Sequence, residues 1–170
     1  HRGYIGSTLF RLMKEVSFIS RVEGYDIIDG NDILNMNILI NRMKNFRPDV
    51  VIHLAALSSV AACNENTSRA ILYNAIGTRN VLAAMQKSGC KNIIYAGTSS
   101  VYGNSSRTEL PYTEDSPVEP CSPYGISKLL GECVIFNHYH NRNAPGNYLI
   151  FRMFNVVGTS SYPDIDRNSN

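Results

Sequence analysis

The sequence lacks the features that would place the chain in a membrane or give it a strongly charged partner. No run of apolar residues approaches the roughly 18 that a membrane-spanning helix needs, so we exclude a transmembrane protein. Sixteen basic residues against fourteen acidic ones leave a formal charge of only +2. This balance gives no electrostatic reason to expect a nucleic acid or an anionic membrane surface as the partner.

Cysteine is scarce, and its spacing excludes two further classes of protein. The four cysteines (Cys63, Cys90, Cys121 and Cys133) lie far apart, without a Cys-x-x-Cys pair and without nearby paired histidines. We therefore expect neither a metal site nor a disulfide framework. A reducing compartment is the default for such a chain, and we expect a cytoplasmic protein.

What is present fits one globular unit. The chain has 170 residues, of which 44% are hydrophobic and 18% charged, and single domains commonly have about 100 to 200 residues. This composition supports a packed core and excludes a disordered or collagen-like chain.

Helical stripes of apolar residues alternate with short apolar runs along the whole chain. A stripe spaced three and four residues apart predicts a helix, and a continuous apolar run predicts a strand buried on both faces. The pattern predicts helices over 7–22, 36–46, 67–88 and 124–139, and strands over 25–29, 50–54, 92–96 and 148–154. Alternation of this kind predicts an α/β fold with a doubly wound parallel sheet, the Rossmann arrangement.

Two glycines stand directly before the first predicted helix. The run Gly3-Tyr4-Ile5-Gly6 has the spacing of the last two glycines of a phosphate-binding turn, in which backbone N–H groups approach a pyrophosphate. An ordinary helix start would also explain two glycines at this spacing. The turn would need an apolar strand and another glycine in front of it, so we expect both before His1 and interpret the chain as part of a longer protein.

Two interpretations of the following segment predict different cofactors. In the first, Asp29 ends a strand about 20 residues after the turn, where a carboxylate accepts both ribose hydroxyls and repels a 2′-phosphate, which favours NAD. In the second, Val16 to Ile19 form the strand, and Ser20 and Arg21 at its tip favour NADP. The helical stripe that continues through Val22 favours the first interpretation.

A tyrosine and a lysine are spaced for proton transfer. Tyr124 and Lys128 are four residues apart in a predicted helix, which places both side chains on one face. An ammonium beside a phenol stabilises the phenolate and lowers its pKa, so that the tyrosine can act as base or acid. A surface lysine beside a half-buried tyrosine is the structural alternative.

Hydroxyl residues follow the predicted strand over 92–96. Thr98 would lie at the carboxyl end of a parallel strand, which is where α/β sheets bind ligands. Its hydroxyl could hydrogen-bond the substrate oxygen that Tyr124 deprotonates. Capping of the loop is the alternative role.

These motifs occur together in an order that resembles a known family. The chain is similar to the extended short-chain dehydrogenases/reductases, in particular the NAD-dependent nucleotide-sugar epimerases and dehydratases. The stretches that carry the resemblance are Gly-Tyr-Ile-Gly at 3–6, Asp-Ile-Leu-Asn at 32–35, Val-Ile-His-Leu-Ala-Ala at 51–56, Asn-Ala-Ile-Gly-Thr-Arg-Asn at 74–80, Thr-Ser-Ser-Val-Tyr-Gly at 98–103, Ser-Pro-Tyr-Gly-Ile-Ser-Lys at 122–128 with Glu132, and Arg-Met-Phe-Asn-Val-Val-Gly at 152–158.

The resemblance implies a role for each matching residue. NAD would be bound through its diphosphate, adenine, adenosine ribose and nicotinamide by Gly3, Tyr4, Ile5, Gly6, Asp29, Asp32, Ile33, Leu54, Ala55, Ala56, Asn74, Tyr124 and Lys128. Within this set, Asp32 and Ile33 would contact the adenine and Lys128 the nicotinamide ribose. The catalytic residues would be Thr98, Tyr124 and Lys128, and the substrate would contact Thr98, Ser99, Tyr124 and Asn155.

Departures from the family pattern narrow the implied reaction. The 4,6-dehydratases have Asp-Glu directly after the threonine, whereas this chain has Ser99 and Ser100, which cannot supply the acid and base. Decarboxylases of the family keep a glutamate at the position of Ser100. The resemblance therefore implies a 4-epimerase of a UDP-hexose or UDP-hexuronate that works through a transient 4-keto sugar. Ser58, where the UDP-galactose type often has lysine, leaves the particular sugar open.

Other functions and the domain limits complete the expectations. The alternatives are a nucleotide-sugar oxidoreductase, decarboxylase or dehydratase of the same family, or a non-catalytic NAD-binding module. We expect residues 1–159 to form part of an NAD-binding Rossmann domain and 160–170 to begin the substrate-binding region or a disordered tail. Most of the substrate-binding domain would follow this chain. The family's habit of dimerising through two helices per subunit implies a homodimer formed by the helices near 67–88 and 124–139.

Overall fold

A three-stranded parallel sheet organises the computed structural model, which describes residues 1–104, 111–141 and 144–158. The strands are β1 (Val50–His53), β2 (Asn92–Thr98) and β3 (Tyr148–Met153), in the order β1-β2-β3. Ile94 of β2 is the register partner of Ile52 in β1 and of Leu149 in β3. The parallel pairing confirms the predicted α/β, Rossmann-type fold; the predicted tail over 160–170 lies outside the described residues.

Six α-helices accompany the sheet in the part of the chain that is described. They are α1 (Tyr4–Glu15), α2 (Met36–Phe46), α3 (Val60–Glu65), α4 (Thr67–Ile71), α5 (Gly77–Ser88) and α6 (Pro123–Phe136). A π-helical turn over Leu72–Ile76 joins α4 to α5, so the single helix predicted over 67–88 is one continuous helical stretch with a widened middle. Helix α2 packs on α5, α5 packs on α6, and α6 packs on β2.

The core lies between β2 and this row of helices. Tyr95 and Ile93 of β2 are each 1% exposed, as the central position of their strand requires. The helices supply the facing apolar side chains, which include Leu39, Val81, Leu82, Met85 and Ile135. Because these residues come from α2, α5 and α6, the hydrophobic stripes predicted for those helices are the surfaces that they bury.

The first helix is shorter than its apolar stripe predicts. Helix α1 ends at Glu15, and Val16 already has extended backbone angles, φ −82° and ψ 117°. Val16, Ile19 and Val22 are β-branched, and such residues lose side-chain freedom in a helix. The stripe through Val22 is therefore not helical, and it does not decide between the two interpretations of this segment. The alternative strand over 16–19 is not formed either.

The strand predicted over 25–29 is also wrong. Ile27–Asp29 form a 3-10 turn, in which the Asp26 carboxylate accepts the Ile28 N–H at 3.1 Å and Gly30 closes the turn with a φ of 76°. A strand needs a neighbour for its backbone groups. Between residues 21–25 and β1 lies a cavity of about 210 Å³, and none of the strands in the described ranges pairs with this segment.

Helix α6 begins where capping residues stand in the sequence. The Ser122 hydroxyl accepts the Gly125 N–H at 3.1 Å, and Pro123 occupies the first turn, where its missing N–H costs nothing. This start lies against the turn that follows β2. A Cβ atom at Gly125 would lie 2.6 Å from the carbonyl oxygen of Ser100, so only glycine allows the two backbones to come this close.

We expect Gly125→Ala to destabilise the protein, because its methyl group would force α6 away from a backbone carbonyl rather than from a flexible side chain. Overpacking of this kind costs roughly 1–3 kcal/mol. Chemical denaturation of the whole protein would measure the change. Gly3→Ala is the matched control, since a Cβ there meets nothing within 4 Å; equal stability of the two variants would contradict the packing account.

Candidate active site

Thr98 and Tyr124 meet where β2 ends and α6 begins. Thr98 is the last residue of β2 and is 6% exposed. Its hydroxyl accepts the Ser100 N–H at 3.2 Å and lies 3.2 Å from the Ser100 hydroxyl, so it also caps the short turn after the strand. The Thr98 side chain lies close enough to the Tyr124 phenol to lower the pKa of that phenol. The structure thus brings together two of the predicted catalytic residues.

The ionisation of Tyr124 differs from the expectation. Burial raises the pKa of Tyr124 above its ordinary value, the nearby Thr98 hydroxyl lowers it, and the nearby Cys63 thiol raises it again. The net direction is upward, so the phenol keeps its proton at neutral pH in this structure. The prediction that Lys128 lowers the pKa of Tyr124 is wrong for the protein without cofactor.

Lys128 explains this result by its own burial. Its side chain is 2% exposed, and its Nζ lies 4.1 Å from the centroid of the Tyr95 ring. Burial lowers the pKa of Lys128 to about 7, although the Glu132 carboxylate raises it. Because the ammonium is only partly present at neutral pH, it cannot strongly favour a phenolate nearby.

His53 lies near Lys128, at the end of strand β1, which is the neighbour of β2 in the sheet. It is the register partner of Tyr95, and its Nε2 is 3.0 Å from the Thr78 hydroxyl. That hydroxyl donates to the Asn74 carbonyl at 2.6 Å, so the histidine nitrogen must be the donor to Thr78. Burial and the charge of Lys128 lower the pKa of His53 to about 3. A neutral imidazole therefore lies beside the lysine.

Asn74 connects the loop after β1 to helix α6. Its carboxamide accepts the Leu57 N–H at 2.7 Å and donates to the Leu57 carbonyl at 3.0 Å and to the Ser127 hydroxyl at 2.8 Å. The side chain is 1% exposed, so these bonds are shielded from water. Asn74 thereby holds the segment after Ala56 against α6, and its predicted contact with NAD stays a prediction.

The remaining substrate and nicotinamide residues share one edge of the sheet. Leu54, Ala55 and Ala56 follow β1, Ser99 follows β2, and Asn155 follows β3 by two residues. Since the three strands are parallel, their carboxyl ends lie on the same side, the usual ligand-binding edge of an α/β sheet. Their individual contacts with cofactor and sugar stay predictions.

The amino end of α1 has the donors that a pyrophosphate needs. Gly3 is its N-cap and has no side-chain capping bond, and the first turn contains no acidic residue. The N–H groups of this turn, which includes Tyr4, Ile5 and the buried Gly6, therefore point outward at the positive end of the helix dipole. This donor set fits a dinucleotide diphosphate.

The residues predicted for the adenosine half have other partners. The Asp29 carboxylate is 2.7 Å from the Arg2 guanidinium, which lowers the pKa of Asp29. Asp32 accepts the Leu34 N–H at 2.9 Å, and Ile33 is 6% exposed within the core. Burial leaves little of Ile33 to contact an adenine. The sequence resemblance overlooked this because an isoleucine in a motif does not reveal which way its side chain faces.

Three further features come from the described residues as a whole. No group of three or more histidine, cysteine, aspartate or glutamate side chains there could hold a metal ion. No helix there is both long and apolar enough to span a bilayer. All four cysteines are thiols, with Cys63 and Cys90 buried and Cys121 and Cys133 exposed.

Comparisons with known proteins agree with this geometry. The model of the "NAD dependent epimerase/dehydratase family" matches residues 1–169. Among curated relatives, UDP-glucose 4-epimerase 2 of Arabidopsis thaliana is 36% identical over 113 residues, which cover 65% of this chain and 31% of that protein. Human dTDP-D-glucose 4,6-dehydratase is 29% identical over 152 residues, which cover 89% of this chain and 42% of that protein.

A solved structure agrees as well. The UDP-glucose 4-epimerase of Brucella ovis in complex with NAD has a TM-score of 0.72 and 26% identity, covering 88% of this chain and 48% of that one. The predicted cofactor, NAD, is thus confirmed by the family model and by this neighbour. The chain spans 31% and 42% of the length of these two curated relatives and 48% of this solved structure.

We expect Lys128→Met to stabilise the cofactor-free protein at pH 6 by a few kcal/mol, on the order of the penalty that a shift from 10.5 to about 7 represents. Between pH 7 and pH 10.5, Lys128 keeps its proton in the unfolded chain but has released it in the folded one. The free energy of unfolding of the wild type therefore increases as the pH rises through this range. The advantage of the variant should therefore shrink from pH 6 to pH 10.

Chemical denaturation at pH 6, 8 and 10 would measure this difference. Lys87→Met is the control, because Lys87 is exposed and should show no such trend. A constant difference between Lys128→Met and wild type at all three pH values would contradict the burial of a charge at this position.

Proposed function

Since this chain belongs to the NAD dependent epimerase/dehydratase family, we propose that it is part of a nucleotide-sugar 4-epimerase acting on a UDP-hexose or UDP-hexuronate. The observation that carries the proposal is the meeting of Thr98, the last residue of β2, with Tyr124 at the start of α6, one helical turn from the buried Lys128. A protein that only binds NAD has no use for a phenol and a hydroxyl aimed at one point. The activity is that of the whole protein.

The bound cofactor supplies a hydride acceptor that can return the hydride to the sugar. The side chains of the protein move the proton and position the sugar. Tyr124 takes the proton of the sugar C4 hydroxyl and later returns it, and Thr98 holds the same oxygen in place. Asn155 and Ser99 contact the nucleotide sugar at the sheet edge.

The raised pKa of Tyr124 makes its charge depend on the cofactor. Burial disfavours the phenolate, so the phenol keeps its proton at neutral pH. A positive charge near the phenol would favour the ionised form. We therefore expect the pKa of Tyr124 to fall when the oxidised cofactor is bound.

Two serines favour epimerisation over dehydration. Ser99 and Ser100 form the turn after Thr98, and the Ser100 hydroxyl is spent on Thr98 at 3.2 Å. Neither hydroxyl ionises usefully near neutral pH, so elimination of water has no acid and base here. The extent of similarity to a 4,6-dehydratase, 89% of this chain, makes dehydration the second candidate.

Mass spectrometry of the products distinguishes the two reactions. Incubated with UDP-glucose or UDP-glucuronate, the whole protein should produce an isomer of unchanged mass, with no net change in NAD absorbance. Incubation with dTDP-glucose should give no product that has lost water. A dehydrated product would make the second candidate the function.

We expect Tyr124→Phe to lower turnover of the whole protein by roughly 100-fold or more, because general acid–base catalysis contributes about that much. Its affinity for NAD should fall by no more than about tenfold, since only one hydroxyl is removed and a hydrogen bond contributes about 0.5–1.5 kcal/mol. Steady-state kinetics and NADH fluorescence would measure the two quantities.

Tyr148→Phe is the matched control for this variant. The Tyr148 hydroxyl lies 2.8 Å from His140 Nε2 at the surface, away from Thr98. It should keep wild-type turnover. A Tyr124→Phe enzyme with most of its activity intact would remove Tyr124 from the chemistry.

The proposal includes a homodimer formed through α4–α5 and α6, in the cytoplasm, where free thiols are stable. Two apolar residues are exposed on each helical stretch at a spacing of four, so each pair lies on one face. They are Leu72 at 43%, Ile76 at 39%, Ile126 at 42% and Leu130 at 38% exposed. Since α6 packs on α4 and on the π-helical turn, the four side chains can form one contact surface.

We expect Leu130→Glu to convert the whole protein from dimer to monomer, because it places a charge within an apolar interface. Sedimentation velocity would measure the change. Phe18→Glu is the control: Phe18 is 87% exposed in the loop after α1 and should leave the dimer intact. A Leu130→Glu dimer of wild-type stability would place the interface elsewhere.

A further inference from the structure

We propose that Glu132 is a positioning residue that acts through Lys128. Its carboxylate is fixed across Gly97 by Arg152, lies one helical turn from the lysine, and keeps that lysine charged for the cofactor. This inference depends on the proposed role of Lys128 at the nicotinamide ribose. The family resemblance includes Glu132 and Arg152 in its motifs but assigns neither a role.

The ion pair between these residues is buried and well oriented. Arg152 donates from Nε to both Glu132 oxygens, at 3.3 and 3.1 Å, and from Nη2 to one of them at 2.9 Å. The Glu132 side chain is 7% exposed and that of Arg152 is 24% exposed. Three hydrogen bonds on this carboxylate fix its position.

Arg152 is itself held on its other side. Its Nη1 donates to the Tyr102 hydroxyl and to the Glu114 carbonyl, both at 3.3 Å. Its guanidinium carbon lies 5.1 Å from the centroid of the Tyr102 ring. Since Tyr102 follows the turn after Thr98, the arginine connects β3 to the same turn that presents the catalytic threonine.

Gly97 of β2 leaves room for the ion pair between Glu132 and Arg152 to pass over the strand. It is the register partner of Arg152 and directly precedes Thr98 in β2. A Cβ there would lie 3.2 Å from Glu132 Oε1 and 2.9 Å from the Phe151 carbonyl oxygen. The absence of a side chain lets the carboxylate lie on the strand, one residue from the active site.

Lys128 and Glu132 are four residues apart in α6, so their side chains are neighbours on one helix face. Both are almost fully buried, at 2% and 5% exposed. The Tyr95 ring lies against the ammonium at 4.1 Å. A buried ammonium with only a ring as neighbour would lose its proton readily, and the carboxylate opposes that loss.

The other groups around Lys128 do not change charge near neutral pH. His53 of β1 has its pKa lowered to about 3 by burial and by the lysine charge. Burial raises the pKa values of Tyr95 in β2, Tyr124 in α6 and Cys63 in α3 above their ordinary values. Arg152 of β3 stays charged. Lys128, with a pKa of about 7, is therefore the group that titrates there.

Glu132 and Arg152 carry opposite charges, so removing one or the other should shift the pKa of Lys128 in opposite directions. Glu132→Gln removes a negative charge beside Lys128, so the lysine should lose its proton at lower pH. Arg152→Gln removes a positive charge and leaves the carboxylate uncompensated, so the lysine should lose its proton at higher pH. A merely structural ion pair would weaken the protein in both variants without moving titration in opposite directions.

The experiment measures the dissociation constant of NADH for the whole protein by fluorescence, from pH 5.5 to 9. We expect affinity to fall on the alkaline side as Lys128 is deprotonated. The midpoint of that fall should move by about one pH unit, downward in Glu132→Gln and upward in Arg152→Gln. Glu15→Gln, which breaks an exposed pair with Arg11 at 3.2 Å, should leave the midpoint unchanged.

A third variant controls for loss of stability in the single variants, because a buried charge without its partner is destabilising. Glu132→Gln/Arg152→Gln removes both charges, and its midpoint should still lie below that of wild type, since the carboxylate is the nearer charge. Coinciding midpoints, or shifts of the two single variants in one direction, would overturn the role of Glu132. Shifted midpoints in a protein that epimerises no UDP-sugar would support Glu132 and overturn the proposed reaction instead.

Discussion

The ammonium of Lys128 lies against the face of Tyr95, almost out of contact with water. Burying a charge is costly unless it is paired, and the surrounding side chains follow from that constraint. The carboxylate of Glu132 lies one turn along the same helix, fixed by Arg152. His53 on the far side is kept neutral. The chain thus keeps a buried lysine at the position where we propose that the dinucleotide binds.

The packing of α6 against the sheet positions the other residues of the candidate site near Lys128. Gly125 lets the helix start against the turn after β2, and Asn74 holds the loop after β1 against Ser127 of the same helix. Tyr124 and Thr98 are therefore brought together by backbone packing rather than by an attraction between their side chains. The burial that results raises the pKa of Tyr124, so the phenol keeps its proton at neutral pH.

Much of this arrangement could be predicted from the sequence. The buried strands and α2 were predicted by periodicity nearly residue for residue. The Tyr-x-x-x-Lys spacing and Thr98 gave the candidate site, in which the structure brings Thr98 and Tyr124 together. Residues 16–29 could not be assigned, because β-branched residues there fit a helical stripe and a strand equally well and no neighbouring strand is present to decide. The burial of Lys128 and Ile33, and the part of Glu132, depend on tertiary contacts that a motif does not reveal.

The most direct test is a crystal structure of the whole protein with NAD and a UDP-hexose. The account predicts that the Thr98 and Tyr124 hydroxyls both lie within hydrogen-bonding distance of the sugar C4 oxygen, with Lys128 Nζ on the nicotinamide ribose. A sugar oxygen held by other side chains, with Lys128 still turned onto Tyr95 and away from the cofactor, would contradict it.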